Sequence, residues 1–164
     1  LHTNRPLVYV DCFAGKGKFA DGNNGSPLIA LETIDQCCAS TTMQRPRIEA
    51  TFIDLNYAED LRKNLSAYPW VKIVSGKYED NIKSILQGKE HCNVFLYIDP
   101  YGIKALQCSL FDDFAKGHFN SIELLINMNS FGFIREACHV LGAVFDDTAL
   151  FADLVEYEPT RMDI

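Results

Sequence analysis

Short apolar runs alternate with amphipathic stretches along most of this chain. Leu7-Val8-Tyr9-Val10 is continuously apolar, β-branched and aromatic, the pattern of a strand buried on both faces, and it ends on Asp11 before a glycine-rich stretch at 13–25. Ser26-Pro27 then predicts a helix start over 28–38, with the serine as cap and the proline giving up no needed amide. Residues 48–53 predict the second buried strand, again ending on an acid, Asp54, and 57–67 an amphipathic helix with Leu61 and Leu65 on one face. The cycle repeats: strand 70–74, helix 79–86, strand 94–98, a turn at Asp99-Pro100-Tyr101-Gly102, a short helix over 109–114, and a fifth strand over 122–126 that ends at Asn127. Helical patterning follows at 134–144 and 148–157. Strands separated by helices require crossovers that return the chain to the same edge, so the expected fold is a single doubly wound α/β domain with a mainly parallel sheet.

Composition narrows the function classes. At 164 residues with 48% hydrophobic content, the chain has material for one sizeable core. Its 15 basic against 22 acidic residues give a net charge of −7, the opposite of a duplex-DNA footprint, so any nucleic-acid contact must be local or shared with a partner. The six cysteines form no CxxC pair and are read as buried free thiols of a cytoplasmic protein, not as zinc ligands or a disulfide frame. His2, His91, His118 and His139 have no metal-ligand spacing, and no apolar run is long enough to cross a bilayer. Phe111, Phe114 and Phe119 are spaced for core packing and not for a base-stacking platform.

In open parallel sheets ligands bind outside the carboxyl ends of the strands, which here are Asp11, Asp54, Gly76, Asp99 and Asn127. Residues 15–20 formally satisfy GxGxxA, but no helix begins inside that glycine run, and Asp54 comes too late to grip a dinucleotide ribose. An acid after the first strand, a glycine turn and an acid after the second suit S-adenosylmethionine, which has no phosphate to cradle. Gly15 and Gly17 allow close backbone approach to its methionyl part, Asp11 is within reach of the amino group directly or through water, and Asp54 is placed to accept from both ribose hydroxyls. The residues after Gly76 are expected near the adenine.

The segments Tyr9-Val10-Asp11-Cys12-Phe13-Ala14-Gly15-Lys16-Gly17, Gly25-Ser26-Pro27-Leu28-Ile29-Ala30-Leu31, Phe95-Leu96-Tyr97-Ile98-Asp99-Pro100-Tyr101-Gly102 and Glu123-Leu124-Leu125-Ile126-Asn127 together resemble the three-Cys-motif partner proteins. The resemblance spans about residues 7–135. It implies a Rossmann-like class I methyltransferase core, S-adenosylmethionine as donor, and a three-cysteine-motif protein as partner. The donor-binding residues so implied are Asp11, Ala14, Gly15, Gly17, Asp54, Leu55, Gly76 and Glu79, with no metal. The turn Asp99-Pro100-Tyr101 resembles the signature of amino-group methyltransferases, which implies a catalytic role for these three and an amino group, such as that of a nucleic-acid base, as acceptor. Lys16 stands where the family usually has Pro, Tyr101 where Phe is common, and Lys77 where an acid helps hold adenosine, with Glu79 or Asp80 as its substitute. A degenerate domain kept as an interaction module for the partner is the alternative. Class I methyltransferases close the sheet with two more strands, and nothing strand-like follows Tyr157, so the chain is read as an incomplete fragment.

Overall fold

The computed structural model describes residues 5–40, 47–102, 105–128 and 130–142; the helix expected over 148–157 lies outside them. The chain divides into two compact units, Leu1–Met128 and Asn129–Ile164. The first holds β1 (Leu7–Asp11), α1 (Ser26–Ala39), β2 (Ile48–Asp54), α2 (Ala58–Asn64), β3 (Lys72–Ser75), α3 (Tyr78–Leu86), β4 (Asn93–Ile98), α4 (Cys108–Lys116) and β5 (Ser121–Ile126). The second contains α5 (Ser130–Val140).

Among the described residues the four strand pairings are parallel and the order is β3-β2-β1-β4-β5, the Rossmann-like α/β arrangement expected from the alternating pattern. The chain lays down β1, β2 and β3 in one direction and then crosses to the far side of β1 for β4. The topological switch point therefore lies between β1 and β4, the position at which ligands bind beyond the strand ends of open parallel sheets. Side-chain alternation splits the core into two clusters. Tyr9, Ala50 and Phe52 pack with Leu28 and Leu31 of α1 and Leu61 of α2. Val8, Val10, Val94, Leu96 and Ile98 pack on the opposite face with Ile82 and Ile85 of α3 and Leu110 and Phe114 of α4.

Several elements differ from the sequence expectation at their ends. The α1 cap is Gly25, not Ser26: no side chain caps the helix, because the Ser26 hydroxyl donates instead to Asp11. The second helix stops at Asn64, three residues early, and the Ser66 and Tyr68 amides close tight turns onto Lys63 and Leu65. Pro69 disfavours helical backbone only at Tyr68, just past the expected end, so it bars continuation without fixing the stop at Asn64. The third strand in turn starts at Lys72, leaving Trp70 half exposed. The helix expected over 134–144 runs instead over Ser130–Val140. Phe114 is buried, and Phe111 and Phe119 pack against the same cluster, which is the core role expected for them. All six cysteines are free, but only Cys12 and Cys92 are buried; Cys37 and Cys108 are exposed, contrary to the expectation for the set. Among the described residues, no helix is long and apolar enough to cross a membrane.

The glycines of the β1 loop divide by what surrounds them. Gly15 and Gly17 both have positive φ, 60° and 78°, a region that penalises any side chain. A Cβ at Gly17 would also stand 3.0 Å from Leu61, whereas one at Gly15 would meet nothing within 4 Å. Gly17→Ala is therefore expected to destabilise the chain by about 1–3 kcal/mol and by more than Gly15→Ala, as read from urea-unfolding midpoints. Equal losses would contradict the packing assigned to Gly17.

Candidate functional site

The parallel register brings the carboxyl ends of β2, β1 and β4 side by side, and Asp11, Asp54 and Asp99 stand there. Asp11 follows Tyr9 and Asp54 follows Phe52 in the alternation, so both side chains lie on the face packed by α1 and α2. Asp99 is tied to that face by the Tyr97 hydroxyl, which donates to its Oδ2 at 3.2 Å. The three acids feel one another: the charges of Asp99 and Asp54 both act on Asp11.

Asp54 organises two loops. Its Oδ1 accepts from the Asn56 and Tyr57 amides at 2.8 and 2.7 Å, and its Oδ2 accepts from the Gly15 amide at 2.8 Å. The Ala14 amide donates to the Ile53 carbonyl, and the Gly76 amide to the Asp54 carbonyl. The loop after β1, the end of β2 and the start of the loop after β3 are thereby locked together. A carboxylate offers about four acceptor positions, so Oδ2 retains one for a further donor.

Asp11 has no exposed surface. Its Oδ1 accepts from the Phe13 amide at 3.1 Å and its Oδ2 from the Ser26 hydroxyl at 2.7 Å, so it ties β1 to the first turn of α1. Burial, opposed by these two hydrogen bonds and reinforced by Asp99 and Asp54, pushes its pKa up to about 7. The direct contact with a ligand amino group expected for Asp11 is not available to a side chain so enclosed; it acts through the loop it shapes and through its charge. The same burial raises the Cys12 thiol and the Tyr9 phenol, with Asp11 adding to both, which keeps these neighbours protonated.

Gly15 faces open space, whereas Gly17 is buried against Leu61 and accepts the Gly25 amide on its carbonyl. Gly15 therefore lines the crevice and Gly17 shapes the loop behind it. Leu55 is half exposed beside Asp54, and Pro100 is buried while the Tyr101 ring is 92% exposed. Glu79 lies half-buried in the first turn of α3, two residues beyond exposed Lys77. Its neighbour Tyr78 is buried against Phe13, with a hydroxyl that has no hydrogen-bond partner among the described residues.

Three residues were missed as participants. Ser26 reads as a cap in the sequence, because a serine before a proline-started helix does so far more often than it reaches across to a strand end. Tyr97 reads as a core aromatic within an apolar strand, although two residues before a strand-end acid is the spacing that returns it to the same face. Lys16 follows the family comparison only as a departure, but its ammonium sits 4.7 Å from the centre of the Tyr57 ring, and its carbonyl accepts the Asn64 side-chain amide at 2.8 Å. It places a cation over the Tyr57 ring, one residue after Gly15 in the chain. Among the described residues, no group of three or more His, Cys, Asp or Glu is arranged to hold a metal ion.

Compared with protein-family models and with curated proteins, the chain matches none.

An acid whose folded pKa of about 7 lies above its ordinary 3.8 holds its proton more tightly in the folded chain. The stability this contributes is full below about pH 4 and is lost as pH rises through 7. Urea midpoints measured from pH 4.5 to 8 are expected to fall in the wild type with a component that Asp11→Asn abolishes. An unchanged pH slope in the variant would contradict a buried, protonatable Asp11.

Proposed function

We propose that the crevice at the strand ends binds S-adenosylmethionine and that the chain transfers its methyl group to an amino group, with a nucleic-acid base as the acceptor class. The observation that carries this reading is the alignment of Asp54, Asp11 and Asp99 on adjacent strand ends around the open Gly15. The residues fit the donor. The free acceptor position on Asp54 Oδ2 suits ribose hydroxyls, the open backbone at Gly15 suits the methionyl part, and exposed Leu55 and the residues after Gly76 offer flanks for adenine. When bound, that donor supplies a sulfonium methyl group: the amine lone pair forms the N–C bond as the C–S electron pair returns to sulfur, and one N–H proton leaves.

The chain's own contribution is positioning. An exocyclic amine is a weak nucleophile until acceptors orient its N–H bonds, and Asp99, with the backbone of the following turn, supplies them. The exposed Tyr101 ring is free to stack on a planar base. A carboxylate-to-hydroxyl bond in such a crevice contributes about 1.5–3 kcal/mol. The acidic surface leaves a flipped or single-stranded base in need of basic groups from a partner, for which a three-cysteine-motif protein is the candidate.

A second reading has its own support. Every oxygen of Asp11 and Asp54 already holds loop amides or the Ser26 hydroxyl, so both acids have a structural reason to be present without a ligand. That favours an interaction module built on a Rossmann-like frame.

Isothermal titration with S-adenosylhomocysteine separates the two. Binding is expected, and Asp54→Ala is expected to weaken it at least tenfold, about 1.4 kcal/mol. Absence of binding, alone and with the partner present, would leave the module reading. Tritiated donor offered with separate DNA, RNA and protein pools is expected to label nucleic acid, with label lost in Asp99→Ala while donor binding persists. Label confined to protein would overturn the base as acceptor.

A further inference from the structure

Tyr97 lies two residues before Asp99, on the face it shares with Tyr9 and Phe95. Its hydroxyl has two side-chain partners. It donates to Asp99 Oδ2 at 3.2 Å, and Asn127, just past the end of β5, acts on the Tyr97 hydroxyl as a hydrogen-bonding group that lowers its pKa. The Asn127 backbone amide donates to the Ile98 carbonyl at 2.9 Å, which places this residue at the junction between β4 and β5. The chain Asn127–Tyr97–Asp99 thus joins two strand ends across the crevice mouth.

We propose that Tyr97 is a positioning residue: held by Asn127, it occupies one oxygen of Asp99 and leaves the other oriented for an N–H of the acceptor amine. This rests on the amino-methylation reading of the site. A carboxylate on a strand end is free to rotate about χ1 and χ2, and an acceptor group that rotates gives up much of the rate that orientation supplies. With Oδ2 engaged, one N–H has a fixed partner in the remaining oxygen and a second has the backbone carbonyls of the turn. That arrangement selects a primary amine, which presents two N–H bonds, over a hydroxyl, which presents one. No proton moves through Tyr97. Burial and then the Asp99 charge raise its phenol above the ordinary tyrosine range, with Asp11 adding to the effect, so it remains a donor.

The test uses the whole chain and two independent readouts. In the first, 13Cζ-tyrosine NMR follows the ionisation of Tyr97, whose signal is assigned by its loss in Tyr97→Phe. Removing the Asp99 charge in Asp99→Asn is expected to lower the Tyr97 midpoint, and an unmoved midpoint would overturn the pairing. In the second, Tyr97→Phe, which keeps the ring and its packing, is expected to bind S-adenosylhomocysteine within twofold of the wild type and to transfer methyl to the labelled pool at least tenfold more slowly. Asn127→Ala is expected to slow transfer in the same direction by a smaller factor. Wild-type transfer by Tyr97→Phe would overturn the positioning role. A wild-type chain that binds no S-adenosylhomocysteine would instead sink the methylation reading, and this inference with it, even if the NMR titration shows the Tyr97–Asp99 pair intact.

Discussion

The Asp54 carboxylate accepts three backbone amides from two loops, and the shape of the whole strand-end region depends on it. The Gly15 amide comes from the loop after β1, and the Asn56 and Tyr57 amides come from the link into α2. Amides this close to a core would each cost about 1–3 kcal/mol if left without a partner, and an ionised acceptor is the strongest one available. Only because β1 and β2 are parallel and in register, with Asp11 opposite Phe52, does the second strand end where the first loop turns back. The crevice is a consequence of that register together with the switch in strand order between β1 and β4.

Charge at this edge is moderated within the chain itself. Three carboxylates stand close together, and the deepest of them has its proton affinity raised by burial, which spares the core a full charge over part of the neutral range. Lys16, stacked on Tyr57, adds a cation one residue after Gly15. The three carboxylates suit the sulfonium of the proposed donor better than the neutral thioether that transfer would leave. The same bonds that make the region rigid also make it plausible as a docking frame, so the acids alone do not distinguish enzyme from module.

The central strands β1, β2 and β4 were readable from the sequence because they are largely buried and leave apolar runs such as Val94 to Ile98. Strand ends were readable for the same reason: an acid stops the run. Boundaries governed by tertiary contacts were not. Ser26 left the cap for Asp11, and the second helix stopped at Asn64, short of what a periodicity argument over Leu61 and Leu65 predicts. In the site, positions on single strands were placed correctly at the edge, but the division of labour among them was not legible. Gly15 and Gly17 look alike in the sequence and differ only in what lies across from them, open crevice for one and Leu61 for the other. The burial of Asp11 depends on α1 folding over it, and the partnership of Tyr97 with Asn127 depends on β4 and β5 being neighbours.

The central claim is that the open ground between Gly15, Leu55 and Gly76 is a binding surface for S-adenosylmethionine. Adding S-adenosylhomocysteine to the 15N-labelled whole chain while recording amide shifts tests it most directly. Saturable shifts concentrated at Gly15, Leu55, Gly76 and the first turn of α3 are the predicted result. Shifts absent throughout the titration, or gathered away from the strand ends, would contradict it.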